Sequence, residues 1–452
     1  MPFVKLPKNV AVTFLVDKGF YNLLAITFVL LRYYLSLGAV FMLVSDTYFQ
    51  NKSLNTNNLL ASHENWSPDS WKKYPATQQI EFKHSHSLRK VLDILQKNNP
   101  LIDFNCLHTL KQNLHAASIG KIFILQTGDC AEQFKDCTNE IVQKKVQEFQ
   151  KQRIFLEKIL MKEVILIGRI AGQFAKPRSE SFENLNGTLL PIYRGDIVNS
   201  NEANAAARLP QPVNLIRAYK NAKKAFQYIE RHSKNKKIYT SHEALLLEYE
   251  SCFTKYQHDY KQYYNSSAHF LWIGERTRQL DHAHIEYIRN LYNPIGIKIS
   301  SQISSEELIT LILKINPKNE KGKIVLIPRL GANKVEIYLP KFIQAIKKNN
   351  LPVTWLCDPM HGNTEKTGSG IKTRKIENIT TEIKISKEIH LKEDTILGGI
   401  HLETAHEEVT ECYGGFTNIL LNDLSKNYLS ACDPRLNPTQ TCEVLKTFLN
   451  IH

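Results

Sequence analysis

The sequence predicts an α/β protein: a (β/α)8 TIM barrel preceded by an N-terminal extension. Three observations predict it. Eight short, nearly continuous apolar runs recur between residues 122 and 400. Helix-like stretches separate these runs, and each run ends in polar, chemically capable residues. Apolar runs of strand length suit parallel strands buried on both faces. Eight such strands alternating with helices is the barrel pattern, with its working groups at the carboxyl ends of strands. A doubly wound open sheet shares the pattern and is the second reading.

The runs are Ile122–Gln126, Val164–Gly168, Ile238–Ser241, His269–Ile273, Ile295–Ile299, Ile324–Pro328, Val353–Cys357 and Ile396–Ile400. Ser304 supplies an N-cap, and Glu306 and Glu307 an acidic first turn, to a helix carrying Leu308, Ile309, Leu311, Ile312 and Leu313. Leu339–Asn349 reads as another helix, stopped before Pro352.

The chain divides into an apolar segment at 1–45, an arm and cap at 46–110, and the barrel at 111–452. From about Gly19 to Ser45 the only charge is Arg32, with Lys5, Lys8 and Lys18 before it. That stretch is long enough to span a bilayer. Its basic flank would keep the amino end in the cytoplasm and export the rest, a poor match to a chain rich in free thiols. A cleaved signal peptide meets the same conflict. The favoured reading is that translation begins near Met42, and the alternative is an anchor or interfacial helix. Membrane contact is expected only through this segment. Asn51 to Asn65 is polar and reads as a linker.

With 452 residues, 42% of them hydrophobic, the chain can bury a large core. The net charge of +14 fits either a nucleic-acid footprint or a basic cleft for small phosphorylated substrates. Lysine runs such as Lys220, Lys223 and Lys224 read as solvated helix faces, and no aromatic-interleaved basic stripe accompanies them. No nucleic-acid partner is expected. The eight cysteines form no CxxC pair and are thinly spread, which favours a reducing, cytoplasmic setting.

The polar tails carry the chemistry. They include Gly128–Asp129–Cys130–Ala131–Glu132, Arg169 through Lys176–Pro177–Arg178–Ser179, Thr240–Ser241–His242–Glu243 and Trp272–Ile273–Gly274–Glu275–Arg276. Later come Lys298, Arg329, Asp358–Pro359–Met360–His361, His401–Leu402–Glu403 and Cys432–Asp433–Pro434–Arg435. Together they describe a ring of Arg and Lys around a mixed thiol, imidazole and carboxylate site for a divalent transition metal. Alone, Cys130 reads more readily as an inert buried thiol, His361 and His401 as satisfied structural histidines, and Glu403 and Asp433 as solvated charges. Their common place at strand ends is what joins them.

These blocks, with Trp66-x-Pro68-x-Ser70–Trp71 and Gln78–Gln79 upstream, resemble the plant-like class II synthases of 3-deoxy-D-arabino-heptulosonate 7-phosphate (DAHP). The resemblance runs from about Trp66 to the carboxyl terminus. It implies a TIM barrel that joins phosphoenolpyruvate to erythrose 4-phosphate, with a divalent metal, at the head of the shikimate pathway. Manganese or cobalt is implied first, with zinc, cadmium or iron as alternatives, and assembly into a homo-oligomer is expected. Residue by residue, it makes Cys130, His361, Glu403 and Asp433 the metal ligands. It sets phosphoenolpyruvate against Arg169, Lys176, Glu275, Arg276, Lys298 and Arg329, and the sugar phosphate against Arg178 and Ser179. Lys176, Cys130 and His361 are the catalytic candidates. His282 and His406 stand where the family carries glycine, and Gln211, Asn214 and Lys255 also depart from it. A non-catalytic binding barrel and a synthase for another sugar phosphate are the rival readings.

Overall fold

The computed structural model describes residues 66–449, apart from 83–84, 186 and 235. The expected apolar segment at 1–45 and the linker at 51–65 lie outside the described residues. Among the described residues, no helix is long and apolar enough to cross a membrane.

Two helices, α1 (Ser85–Gln96) and α2 (Phe104–Ser118), precede the sheet. The barrel strands are β1 (Ile122–Gly128), β2 (Glu163–Arg169), β3 (Ile238–Glu243) and β4 (Phe270–Ile273). They continue as β5 (Ile295–Ile299), β6 (Ile324–Pro328), β7 (Val353–Cys357) and β8 (Leu397–His401). All eight pair in parallel, each with its sequence neighbours, and β8 closes on β1 through Ile124↔Gly399 and Gln126↔His401. The TIM-barrel expectation is therefore met, and the open sheet is excluded by that closing ladder.

The predicted runs and the strands agree closely, but four strands extend into what reads as tail: Gly128, Arg169, Glu243 and His401 are strand residues. Arg169 and His401 are buried in the upper barrel and hydrogen-bonded there, so they do not end the ladder. One helix follows each strand. The Ser305–Ile315 helix has the expected cap, with the Glu307 N–H donating to Ser304 Oγ at 3.1 Å. The next helix begins at Val335, earlier than Leu339, because Pro340 lies inside it. A proline mimics a helix start in a sequence, which is why the first turn escapes notice.

Helix α2 plugs the lower mouth. Leu110, Leu114 and Ala117 pack against the interior residues Ile124, Ile167, Tyr239, Phe270, Trp272, Val325, Ile327 and Leu356. Thr354 on β7 locks the plug by donating to the Leu114 carbonyl at 2.9 Å. This helix runs across position 110, where the sequence divides arm from barrel. Two larger apolar clusters fill the space between strands and outer helices. With the interior so filled, open space is left above the strands' carboxyl ends.

Candidate active site

Strand geometry delivers the deepest polar groups. Arg169 stands two residues beyond the interior Ile167, so the period of two carries it into the upper barrel. Its side chain is 1% exposed, and four of its five N–H donors are engaged. Nε donates to the Asp129 carbonyl at 2.8 Å, and Nη2 to the Cys130 carbonyl at 3.1 Å and to Glu403 Oε1 at 2.9 Å. Nη1 meets His401 Nε2 at 3.0 Å, and the plane lies 4.9 Å from the Trp272 ring centroid. Arg169 thus fastens the β1 loop to the β8 tail. Gly128 permits that approach: its φ is +135°, and a Cβ there would lie 2.7 Å from the Arg169 carbonyl.

Above Arg169, three donors from separate loops meet. One ligand atom each from His361, Glu403 and Asp433 falls within 4.8 Å of the others. His361 Nε2 is 3.1 Å from Glu403 Oε1, while its Nδ1 is 2.8 Å from Asp358 Oδ2. Cys130 lies beside this trio and outside that sphere; its Sγ accepts the Asp433 N–H at 3.4 Å. The sequence-predicted ligands are thus neighbours, with the thiol at the margin.

The donor set fits a divalent transition metal. Burial keeps the His361 imidazole below its usual range, the state with a free lone pair. Asp358 orients that ring from behind, as carboxylates do for metal-bound histidines. Burial pushes Glu403 upward, yet His361, Lys176, Arg374 and Arg169 hold it well below the usual carboxylate range. Asp433 is likewise held low against burial, chiefly by Lys176. A hydrogen bond with Cys432 brings the Cys130 thiol down to about 7 against burial, with help from Lys176. In this arrangement the Lys176 ammonium supplies the positive charge among the carboxylates, 2.8 Å from Asp433 and 3.5 Å from Glu403. A second trio, Asp358, His361 and His401, shares the first histidine. Its carboxylate pairs with Lys298 at 3.0 Å.

A cavity of about 610 Å³ opens over these groups. Lys176, Arg178, Ser179, Glu275, Arg276, Lys298, Arg329, His361 and Asp433 all line it, as do Glu243, Lys366 and Lys372. Arg169, Cys130 and Glu403 lie beneath. Arg276 donates to Ser179 Oγ through Nε at 3.2 Å and Nη2 at 2.5 Å, so β2 and β4 loops meet at one wall. Glu275 faces Arg278, and Arg329 Nη2 donates to the His361 carbonyl at 3.2 Å. Burial lowers Lys298 to about 8, with Asp358 opposing and Arg169 assisting. Burial also lowers Lys176, but Asp433 and Glu403 outweigh it and leave that ammonium raised.

The sequence reading missed Lys366, Lys372 and Arg374. They lie on a hairpin, Thr364–Lys366 paired with Lys372–Arg374, that drops back over the site. Arg374 is fully buried and 2.8 Å from Glu403 Oε2; Lys372 is 2.9 Å from Asp433 Oδ1. The signal was present as three basic residues flanking Thr367–Gly368–Ser369–Gly370, a turn-rich break. Of the atypical positions, His282 has φ −109° and serves as an extended N-cap, which needs no glycine. His406 pairs with Glu407 at 3.6 Å.

The family model described as the class-II DAHP synthetase family matches residues 66–236 and 229–448. The chain belongs to that family. Class-II relatives named phospho-2-dehydro-3-deoxyheptonate aldolase are similar over most of its length. The Neurospora crassa protein is 37% identical over 447 residues, covering 84% of this chain and 92% of its own. The Streptomyces coelicolor protein is 35% identical over 427 residues, covering 83% and 95%. The Mycolicibacterium smegmatis protein, AroG, is 34% identical over 426 residues, covering 82% and 91%. As a member of this family the chain is an enzyme, a DAHP synthase.

Proposed function

We propose that the protein condenses phosphoenolpyruvate with erythrose 4-phosphate and water, giving DAHP and inorganic phosphate. The observation that carries this reading is the meeting of His361, Glu403 and Asp433 at the floor of a cavity walled by Arg178, Arg276, Lys298 and Arg329. Cys130 is the proposed fourth ligand, one peptide N–H away from Asp433. A bound divalent cation, manganese or cobalt first among candidates, would act as a Lewis acid on the aldehyde. The rest is done by side chains.

Arg276, Lys298 and Arg329 hold the phosphate of phosphoenolpyruvate, and Arg178 with Ser179 hold that of the sugar. Guanidinium forks suit bidentate phosphate contact, and together they offset repulsion between two multiply charged substrates. The methylene carbon of phosphoenolpyruvate attacks the aldehyde carbon, and the aldehyde oxygen takes a proton. Water adds to the adjacent carbon of phosphoenolpyruvate, and phosphate leaves with its bridging oxygen. Lys176, 2.8 Å from Asp433 and 3.5 Å from Glu403, is placed to donate a hydrogen bond to the aldehyde oxygen. Holding both reactants in line contributes on the order of 7–11 kcal/mol in well-oriented systems. Arg169 braces the floor with four of its five N–H donors, on Asp129, Cys130, His401 and Glu403, and is proposed to restrain phosphoenolpyruvate from beneath. A thiol ligand suits a reducing compartment, the cytoplasm.

The test is phosphate release with both substrates, before and after EDTA treatment and again after manganese or cobalt is restored. Release that needs both substrates and returns with metal supports the reading. Release unaffected by chelation refutes the metal role, and equal turnover of other aldose phosphates refutes the substrate assignment.

A further inference from the structure

Behind the proposed ligands runs a buried ionic chain. Glu411, fully buried, grips both ends of the loop bearing Asp433. Its Oε1 accepts the Leu429 and Ser430 N–H groups at 3.1 and 2.8 Å, and its Oε2 the Arg435 N–H at 2.6 Å. The Arg435 guanidinium adds Nη2 to Glu411 Oε1 at 2.8 Å and sends Nη1 across to Asp129 Oδ1 at 2.7 Å. Lys145 closes the chain on Asp129 Oδ2 at 2.6 Å. Two carboxylates and two cations balance, which a buried set of this kind requires.

The ends of the chain adjoin the two loops that must converge. Asp129 precedes Cys130, and Arg435 follows Asp433 by two residues. The Ser430 hydroxyl lies between them, donating to the Asp433 carbonyl at 2.7 Å and standing 3.2 Å from Cys130 Sγ. It also accepts the Cys432 N–H at 3.2 Å. An Arg can span Glu411 and Asp129 with separate edges of one plane; a Lys offers a single point charge.

We propose that Arg435, gripped by Glu411, is a positioning residue that presets Cys130 and Asp433 as a ligand pair for the cation, with Ser430 as the bridge between them. The proposal rests on the ligand set given above. It accounts for how side chains 303 residues apart are held within one N–H···S contact before any ion enters.

The experiment is a cobalt titration of the metal-free full chain, followed by dissociation constant and by thiolate-to-cobalt charge-transfer absorption. Wild type is compared with C130S, S430A and R435K, each also measured for thermal unfolding without metal. Wild type should show the absorption and C130S should lack it. S430A and R435K should bind cobalt about 10–100-fold more weakly, the range for lost supporting contacts, with S430A unfolding near the wild-type temperature. If R435K does not fold, S430A decides alone. Wild-type affinity and absorption in the folded variants would overturn the positioning role while leaving the ligand set intact. Absence of the absorption in wild type, or its persistence in C130S, would overturn the ligand set and the proposal with it.

Discussion

The Asp358 carboxylate joins Lys298 to His361, its Oδ2 lying 3.0 Å from Nζ and 2.8 Å from Nδ1. One acid therefore steadies a phosphate-facing cation and a proposed metal ligand together. Asp358→Asn keeps the shape and removes the charge. It should weaken metal binding about 10–100-fold, as loss of a carboxylate behind a ligating histidine does. Calorimetric metal titration would show it, and an unchanged dissociation constant would argue against His361 as ligand.

Cys130→Ser should lower both metal content and turnover. Metal analysis of the purified variant beside a phosphate-release assay checks this. Full activity at normal metal content would remove Cys130 from the ligand set.

Arg276→Ala should raise KM for phosphoenolpyruvate strongly and leave metal content as it was. Arg276 lines the cavity and reaches no proposed metal ligand. Losing a charge-assisted contact costs about 1.5–3 kcal/mol, or roughly 10–150-fold. Steady-state kinetics equal to wild type would refute the assignment.

Lys298 should impose an alkaline limit. Its folded value, about 8, lies below the ordinary 10.5. The ammonium needed for phosphate contact is therefore lost as pH rises through about 8, and KM for phosphoenolpyruvate should climb there. For stability the sign is opposite. The unfolded chain holds that proton more tightly, so this group's contribution rises with pH between about 8 and 10.5. Lys298→Arg should move the KM limb upward; an unmoved limb would exclude Lys298 as its source.

Glu382 should matter to Arg329 without touching it. Its carboxylate accepts the N–H groups of Leu330 and Gly331 at 3.0 and 2.9 Å and the Asn363 side-chain amide at 2.7 Å. Gly331 and Gly362 let these loops press together, since a Cβ on Gly362 would lie 2.3 Å from the Gly331 nitrogen. Glu382→Ala strands three buried donors, at roughly 1–3 kcal/mol each. Thermal unfolding should fall and KM for phosphoenolpyruvate rise together. A change in neither would make the carboxylate dispensable.

The barrel was legible because its strands are buried on both faces and read as unbroken apolar runs, Ile324–Pro328 and Val353–Cys357 to the residue. Cavity-lining Arg178, Arg276, Lys298 and Arg329 were legible because strand ends share one face. The depth of Arg169, bonded beneath the cavity to Asp129, Cys130, His401 and Glu403, was not legible, because burial depth leaves no trace in a one-dimensional pattern. Arg374 escaped for the complementary reason. It reaches Glu403 from a short hairpin whose strands carry no apolar alternation, so only the turn residues betrayed it. The Asp129–Arg435–Glu411 chain links positions with no local relation, and only the folded chain brings them to one another.

The helix wedged by Leu110, Leu114 and Ala117 into the end opposite the cavity closes the barrel there, so among the described residues the cavity opens on the other side. Under the proposed chemistry, reactants and products then share that one face of the barrel.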